Sequence, residues 1–374
     1  MTTQQSVNAA LQGAQYDIEE EKKRVKDVKI GADGYKYAFG RAIKEFGRDG
    51  GTDLAAKLTY FMVLSLAPSL LAIFSILSLV LANNRDVVDD LVNDIVSRYV
   101  PSDYEALVVD VVDTMMDQAG GGSIVALVIG IATALWSASA YVKAFNRSAN
   151  TVYGYAEGRG FVALTVSNLL TTLTQLVGIV VILISLALNR TLVESLLVPI
   201  AEPLGATGVA NFLVDTFLPI WDWVRWPFIL LLLVLMIATL YRATPNVQRP
   251  GRKIITVGAA FAIVGMAVGG VAMYIYLSNF ASYGGYGAIG TVMALLFVLW
   301  VFNIVLLIGL EIDVELARVR LLRAGLPAEA ELHLPPKAVE GVRKAAQARA
   351  KLEDEAYLLR ANSGQGSTPS TPER

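Results

Sequence analysis

Residues 288–310 form an apolar run of 23 residues whose one strongly polar member is Asn303. A helix of that length is about 35 Å long, and the hydrocarbon core of a bilayer is about 30 Å thick. Tyr283-Gly284-Gly285-Tyr286-Gly287 leads into the run. Glu311-Ile312-Asp313-Val314-Glu315 follows it, with Arg318, Arg320 and Arg323 beyond. Apolar residues make up 55% of the chain and charged residues 17%, with a mean hydropathy of +0.52. A soluble domain of this length carries more charge. The fold class expected is therefore all-α: a polytopic membrane protein built from further runs of this kind.

Five other runs qualify, at about residues 54–82, 123–141, 161–188, 224–241 and 254–277. Pro68 lies inside the first, where it removes a backbone donor and predicts a kink; Ser65 and Ser69 stand near enough to re-satisfy freed carbonyls. In the second, Gly122, Ala126, Gly130, Ala134 and Ala138 recur every four residues. Gly258, Ala262, Gly265 and Gly269 do much the same in the fifth. Such stripes let another helix approach closely. The third run carries its polar side chains in series, among them Thr165, Asn168, Thr171, Thr172, Gln175 and Ser185. Trp221, Trp223 and Trp226 mark a membrane–water interface where the fourth begins.

Between the first two runs, residues 85–118 read differently. Two amphipathic helices separated by Pro101 form a hairpin too short to span, expected to cap the outer end of the bundle. The loop after the third run, to Asp222, is expected to be broken by Pro199, Pro203 and Pro219. Residues 1–53 read as a cytosolic arm, partly disordered, ending in a basic amphipathic helix over 35–48 that lies on the membrane surface. Residues 327–374 read as a cytosolic tail with a charged helix over 337–360 and a Gly/Ser/Thr/Pro-rich end.

Basic residues fix the orientation. Lys143, Arg147, Arg159, Arg242, Arg249, Arg252, Lys253, Arg318, Arg320 and Arg323 fall after the second, fourth and sixth runs. The alternate loops hold only Arg85, Arg98 and Arg190. Loops rich in Lys and Arg stay in the cytoplasm, so six spans with both termini cytoplasmic are expected. A net charge of −2 gives no basic field for nucleic acid. With no cysteine, disulfides and thiolate metal sites are excluded, and His333 is the single histidine. The first 50 residues hold no apolar segment of leader type, so no cleavable signal peptide is expected. No P-loop is present, and no cofactor is expected.

Four pieces, in order, resemble the YihY / virulence factor BrkB family, formerly labelled ribonuclease BN. They are Ala55-Ala56-Lys57-Leu58-Thr59-Tyr60 with Ser65-Leu66-Ala67-Pro68; Leu135-Trp136-Ser137-Ala138-Ser139 with Phe145-Asn146-Arg147; Tyr241-Arg242-Ala243-Thr244-Pro245-Asn246 with Pro250-Gly251; and residues 283–287 with Leu307-Ile308-Gly309-Leu310-Glu311-Ile312. The likeness covers about residues 35–322. It departs from the family at Ser148-Ala149-Asn150 and at Gly309-Leu310-Glu311, where Gly-Ala-Glu is usual. It implies a bacterial inner-membrane protein of six spans and brings no mechanism with it.

Three functions compete. A metal-dependent ribonuclease needs converging ligands; a lone histidine does not supply them, and Asp313 points away from the face shared by Glu311 and Glu315. A transporter or handler of a lipid-like substrate would line a polar path with Asn168, Thr172, Gln175, Asn303 and the Pro68 kink, with Lys57, Arg147 and Glu311 at its cytosolic mouth. A scaffold without a conduit would use the same polar residues to bind helices together, and its tails to recruit cytosolic partners. The second is the expected function, with membrane lipids as partners and no enzymatic activity. Lys57 is expected to snorkel to headgroups, and Arg147 is a candidate partner for Glu311.

Overall fold

A computed structural model describes residues 3–15, 23–25, 28–80, 93, 96–97, 105–106, 109–110, 124–188, 193, 208, 212–248, 256–280, 287–332 and 334–362. Most of the outer hairpin at 85–118, the turn at 283–286, Arg249, Arg252, Lys253 and His333 lie outside the described residues. The helices are α1 (Thr3–Gly13), α2 (Ala32–Arg48), α3 (Gly51–Val80), α4 (Ile124–Tyr153), α5 (Phe161–Ala187), α6 (Leu218–Ala243), α7 (Val257–Phe280), α8 (Gly287–Arg323) and α9 (Glu340–Asn362). Among the described residues no strand forms, and the one β-bridge joins Val247 to Pro336. The protein is all-α.

Three helical stretches among the described residues are long and apolar enough to cross a membrane: Phe161–Leu186, Leu213–Ala243 and Val292–Arg323. Their outer faces are oily. On α5, Phe161, Val166, Leu170 and Val177 are exposed while Asn168, Thr171 and Thr172 are buried. In water such a helix would be inside out; in lipid the apolar face is the solvated one.

The fourth span starts earlier than its sequence predicts. A π-helical turn, Leu213–Phe217, runs straight into α6, so Pro219 does not break it. That proline sits where the π-turn passes into α6, and the wider turn, in which Leu218 donates five residues back to Leu213, takes up a residue that has no N–H to give. Trp223 and Trp226 point outward, as expected of interface anchors. Trp221 turns in, stacking on Phe217 at 5.5 Å and donating to the Ser185 carbonyl at 3.4 Å.

Small residues set the closest approach in the bundle. A Cβ on Gly258 would lie 1.9 Å from the Gly309 carbonyl oxygen, and one on Gly309 would lie 2.5 Å from that of Gly258. The stripe on α7 is therefore the seam against α8, with Ala259 and Ala262 fully buried. On α4, Ala134 and Ala138 are buried, and Ala134 packs with Leu176 of α5. Helices α3 and α4 pair along most of their shared length.

Helix α8 continues 13 residues past Leu310, about 20 Å of rod. Its Ile312, Leu316 and Val319 pack against Ala38 and Ala42 of α2, with Phe39 edge-on to Phe261 at 6.1 Å. Helix α2 thus docks its small-residue face on protein and leaves Tyr37 and Ile43 exposed. The terminal segments are also less free than their composition suggests. Helix α1 buries Val7, Ala9 and Ala10, within an arm expected to be helix-prone and partly disordered. Residues 328–338 are held down through Ala328, Leu332 and Leu334.

Candidate functional site

Glycines at two helix ends place the polar residues of the tail-side end. Helix α4 stops at Gly154 and α8 at Gly325, each with positive φ (68° and 75°). In both, the next residue donates back five positions, Tyr155 to Asn150 and Leu326 to Leu321. This is a Schellman stop, and it needs a residue free of the Cβ penalty. The first stop turns Tyr155, Glu157 and Arg159 back over the bundle. The second sends residues 328–338 across the same end.

What gathers there is a closed hydrogen-bond hub. Asn246, fully buried, receives Ala338 N–H at 3.1 Å, donates from Nδ2 to the carbonyls of Ala156 (3.0 Å) and Ala338 (2.9 Å), and gives its own N–H to Asn150 Oδ1 (2.7 Å). Asn146 donates to the Thr244 carbonyl at 2.6 Å. The Tyr155 hydroxyl bonds to the backbone at Leu332 and Leu334. Arg159 bridges Glu157 at 2.8 Å and also caps the carbonyls of Ala243 and Thr244. Burial opposes a charged Glu157, but bonds from Arg159 and Asn150 overcome it and hold its pKa below the ordinary value. The sequence marked Asn146 and Asn246 only through the family likeness. Arg159 and Arg318 looked like topology charges, yet each anchors this end; Arg318 bridges Glu315 at 3.0 Å and donates to the Ala328 carbonyl at 2.7 Å.

The expected path residues are partnered in separate places. Thr172 donates to the Asn168 carbonyl within α5. Gln175 reaches α6, donating to the Met236 carbonyl (3.0 Å) and Thr239 Oγ1 (3.1 Å). Asn303 joins three helices: it accepts from Tyr141 at 2.9 Å and donates to Thr59 (3.2 Å) and to the Leu299 carbonyl (2.9 Å). No hydrogen bond links the two sets among the described residues. Ser65 caps the Met62 carbonyl, not that of Leu64 opposite Pro68.

Arg147 and Glu311 do not pair. Glu311 is buried, its Oε1 has no hydrogen-bond partner among the described residues, and its charged surroundings are chiefly Asp49, Glu315 and Glu45. Arg147 lies elsewhere, its guanidinium 5.5 Å from the Phe61 ring centre. Nor do the three acids after α8's apolar run converge. Asp313 accepts the Gly258 N–H at 2.8 Å, whereas Glu315 faces Arg41 at 3.1 Å and Arg318.

Arg147 belongs instead to an open groove of about 470 Å³ between α3 and α4. This falls within the about 300–1,000 Å³ common for small-molecule sites. Phe61, Leu64 and Pro68 form one wall, and Trp136 and Ala140 the other, antiparallel to it. The apolar walls rise to Lys143 and Arg147 at one end, with Lys143 Nζ 4.0 Å from the Trp136 ring centre. Lys57 lies one turn before Phe61, close enough for Arg147 to act on its charge. Burial, and then the charge of Arg147, hold the Lys143 pKa below the usual lysine value. None of the three cations has an ion pair among the described residues. Of the expected site residues, the fold brings Pro68 and Arg147 to this groove, with Lys57 near enough for Arg147 to act on its charge.

Comparison with known proteins agrees with the four motif pieces. The virulence factor BrkB family model matches residues 42–332. The ribonuclease-like protein YfkH of Bacillus subtilis (strain 168) is 28% identical over 285 residues, covering 76% of this chain and 94% of that protein. No solved structure matches the chain. With the family's span covering most of the sequence and apolar helices of membrane length within it, the chain belongs to the virulence factor BrkB family and is a membrane protein.

Proposed function

We propose that this protein binds and moves an amphipathic, lipid-like molecule at a bacterial cytoplasmic membrane, without ATP hydrolysis. The observation that carries the proposal is the groove between α3 and α4, oily along its walls and cationic at one end. An oily face alone is what any lipid-facing helix shows; what sets this groove apart is the pair of cations, Lys143 and Arg147, at one end of it. Six spans with both termini in the cytoplasm follow from the distribution of Lys and Arg, and that orientation puts the cationic end at the inner leaflet, where anionic headgroups collect.

The test is lipid movement in vesicles. Proteoliposomes with a trace of headgroup-labelled fluorescent lipid are treated externally with dithionite, in the absence of nucleotide. Protein-dependent loss of the protected inner-leaflet signal is expected. A rate equal to that of protein-free vesicles overturns transport.

A second reading, a scaffold without a conduit, draws support from α9, which exposes Leu352, Tyr357, Leu358 and Leu359 as a surface for a cytosolic partner. The chain is further proposed not to be a ribonuclease, despite the name of its Bacillus relative. Asp313 and Glu315 turn to different partners, Glu311 Oε1 has none among the described residues, and the one histidine lies in the tail. RNA cleavage by the pure protein with magnesium or zinc, lost in Glu311→Ala, would reverse that.

A further inference from the structure

We infer that the groove between α3 and α4 is a binding site for one anionic glycerophospholipid, its phosphate held by Lys57, Lys143 and Arg147 and its acyl chain laid along Phe61, Leu64 and Trp136. The inference rests on the lipid-handling proposal and names the class of lipid.

Charge complementarity decides the headgroup. Two cations, Lys143 and Arg147, line one end of the groove, Lys57 stands near enough for Arg147 to act on its charge, and no carboxylate lines the groove. Cations brought together without an acid repel one another, and a phosphate placed among them removes that repulsion. Elsewhere at this end of the molecule Arg159, Arg318, Arg323 and Arg41 each face a carboxylate. Lys143 and Arg147 face ring planes instead, over Trp136 and Phe61, which orient their charges at the top of the apolar walls.

Depth decides that the anion has a tail. The apolar run on α4 ends at about Tyr141, so Lys143 and Arg147 stand where headgroups begin. From Lys57 to Pro68 the α3 wall runs about 16 Å, long enough to take a phosphate and a good part of an acyl chain. Leu64 and Trp136 are half-exposed along it. A free phosphate would use the cations and leave that wall bare.

Trp136 is a reporter already in place. Two full-length variants are compared in phosphatidylcholine vesicles, one retaining only Trp136 and one retaining only the outward Trp223, with the other tryptophans changed to Phe. Each receives a small fraction of dibrominated phosphatidylglycerol or dibrominated phosphatidylcholine as quencher. Trp136 is expected to half-quench at an about tenfold lower fraction of the anionic lipid than of the zwitterionic one, with no such gap at Trp223. Lys57→Gln, Lys143→Gln and Arg147→Gln should each shrink the gap about fivefold, whereas Lys143→Arg should keep it. Quenching of Trp223 and the helical signal serve as the check on folding of each variant. Equal quenching of Trp136 by both lipids overturns the anionic site and leaves lipid handling standing. Quenching of Trp136 no stronger than that of Trp223 by either lipid overturns both. Erasure of the gap by inorganic phosphate alone would make the site one for a free anion and overturn the assignment to lipid.

Discussion

The hub around Asn246 and the groove below Arg147 are both polar clusters, and residues of α4 supply both, yet they are built on opposite terms. In the hub, Asn146, Asn150, Asn246, Tyr155, Glu157 and Arg159 satisfy one another and the backbone. In the groove, Lys143 and Arg147 meet no acid, with Lys57 close by. Arg147 is the direct neighbour of Asn146, one residue further along the same helix. Polarity alone therefore separates nothing; the presence or absence of a partner does. A closed network holds the fold, and an open one is available to a ligand.

That contrast can be broken by substitution. The most damaging change should be Gly258→Val at the α7–α8 seam beside the hub. Its side chain would meet the Gly309 backbone oxygen, which cannot rotate away, so a loss of at least about 4 kcal/mol is expected. The measurement is recovery of monodisperse protein from detergent, and wild-type yield and melting temperature would refute the seam.

Asn246→Ala comes next. It leaves the Ala156 and Ala338 carbonyls and the Ala338 N–H without partners, at a cost of about 3 kcal/mol, read as a lowered melting temperature. An unchanged melting temperature would show that the hub does not hold the tail.

The third effect depends on pH and has two signs. Burial, reinforced by the carboxylates of Glu45 and Glu315, pushes Asp49 from its ordinary 3.8 up to about 6. The fold favours its protonated form, so this stabilisation is full below the ordinary value and is lost as pH rises through about 6. Glu157 works the other way. Its folded pKa lies below the ordinary 4.5, so its contribution is present above that value and is lost as pH falls through the folded one. Asp49→Asn should flatten the rise in melting temperature between pH 7 and about 5, and Glu157→Gln should lower the melting temperature at pH 7 more than in acid. Parallel pH profiles for the two variants would contradict both assignments.

The smallest effect on stability is expected in the groove. Lys143→Gln or Arg147→Gln should change stability by no more than about 0.5 kcal/mol, because each removes a repulsion and breaks no ion pair. A loss of the size expected at Asn246 would show that these cations belong to the fold, and the contrast between the clusters would disappear.

Much of this was readable in the residues. Apolar length foretold the helices, spacing of small side chains by three and four foretold close packing on α7 without naming its partner, and the motif pieces foretold the family. The site was less legible, because a side chain's type does not say what faces it. Gln175 and Asn303 looked like the lining of a path, yet each is turned to a neighbouring helix. Arg318 and Arg159 were read only as orientation signals, and their bonds to Glu315, Glu157 and the backbone had no sign in the sequence. The groove depends on α3 and α4 lying antiparallel in one register, so that Pro68 comes to face Trp136, and residues about 70 apart in sequence give no local sign of that. Pro219 misled because a break was expected wherever a proline stands, and the π-turn just before it lets the helix run on.

The overhang of α8 has a mechanical consequence. One uninterrupted rod both crosses the oily phase and carries, about 20 Å further on, the ledge to which α2 is clamped through Arg41–Glu315 and Arg323–Asp33. No joint separates the two halves. A tilt imposed on the rod by the surrounding lipid must swing the ledge and α2 with it, so the aqueous end of this molecule is geared to the state of the bilayer.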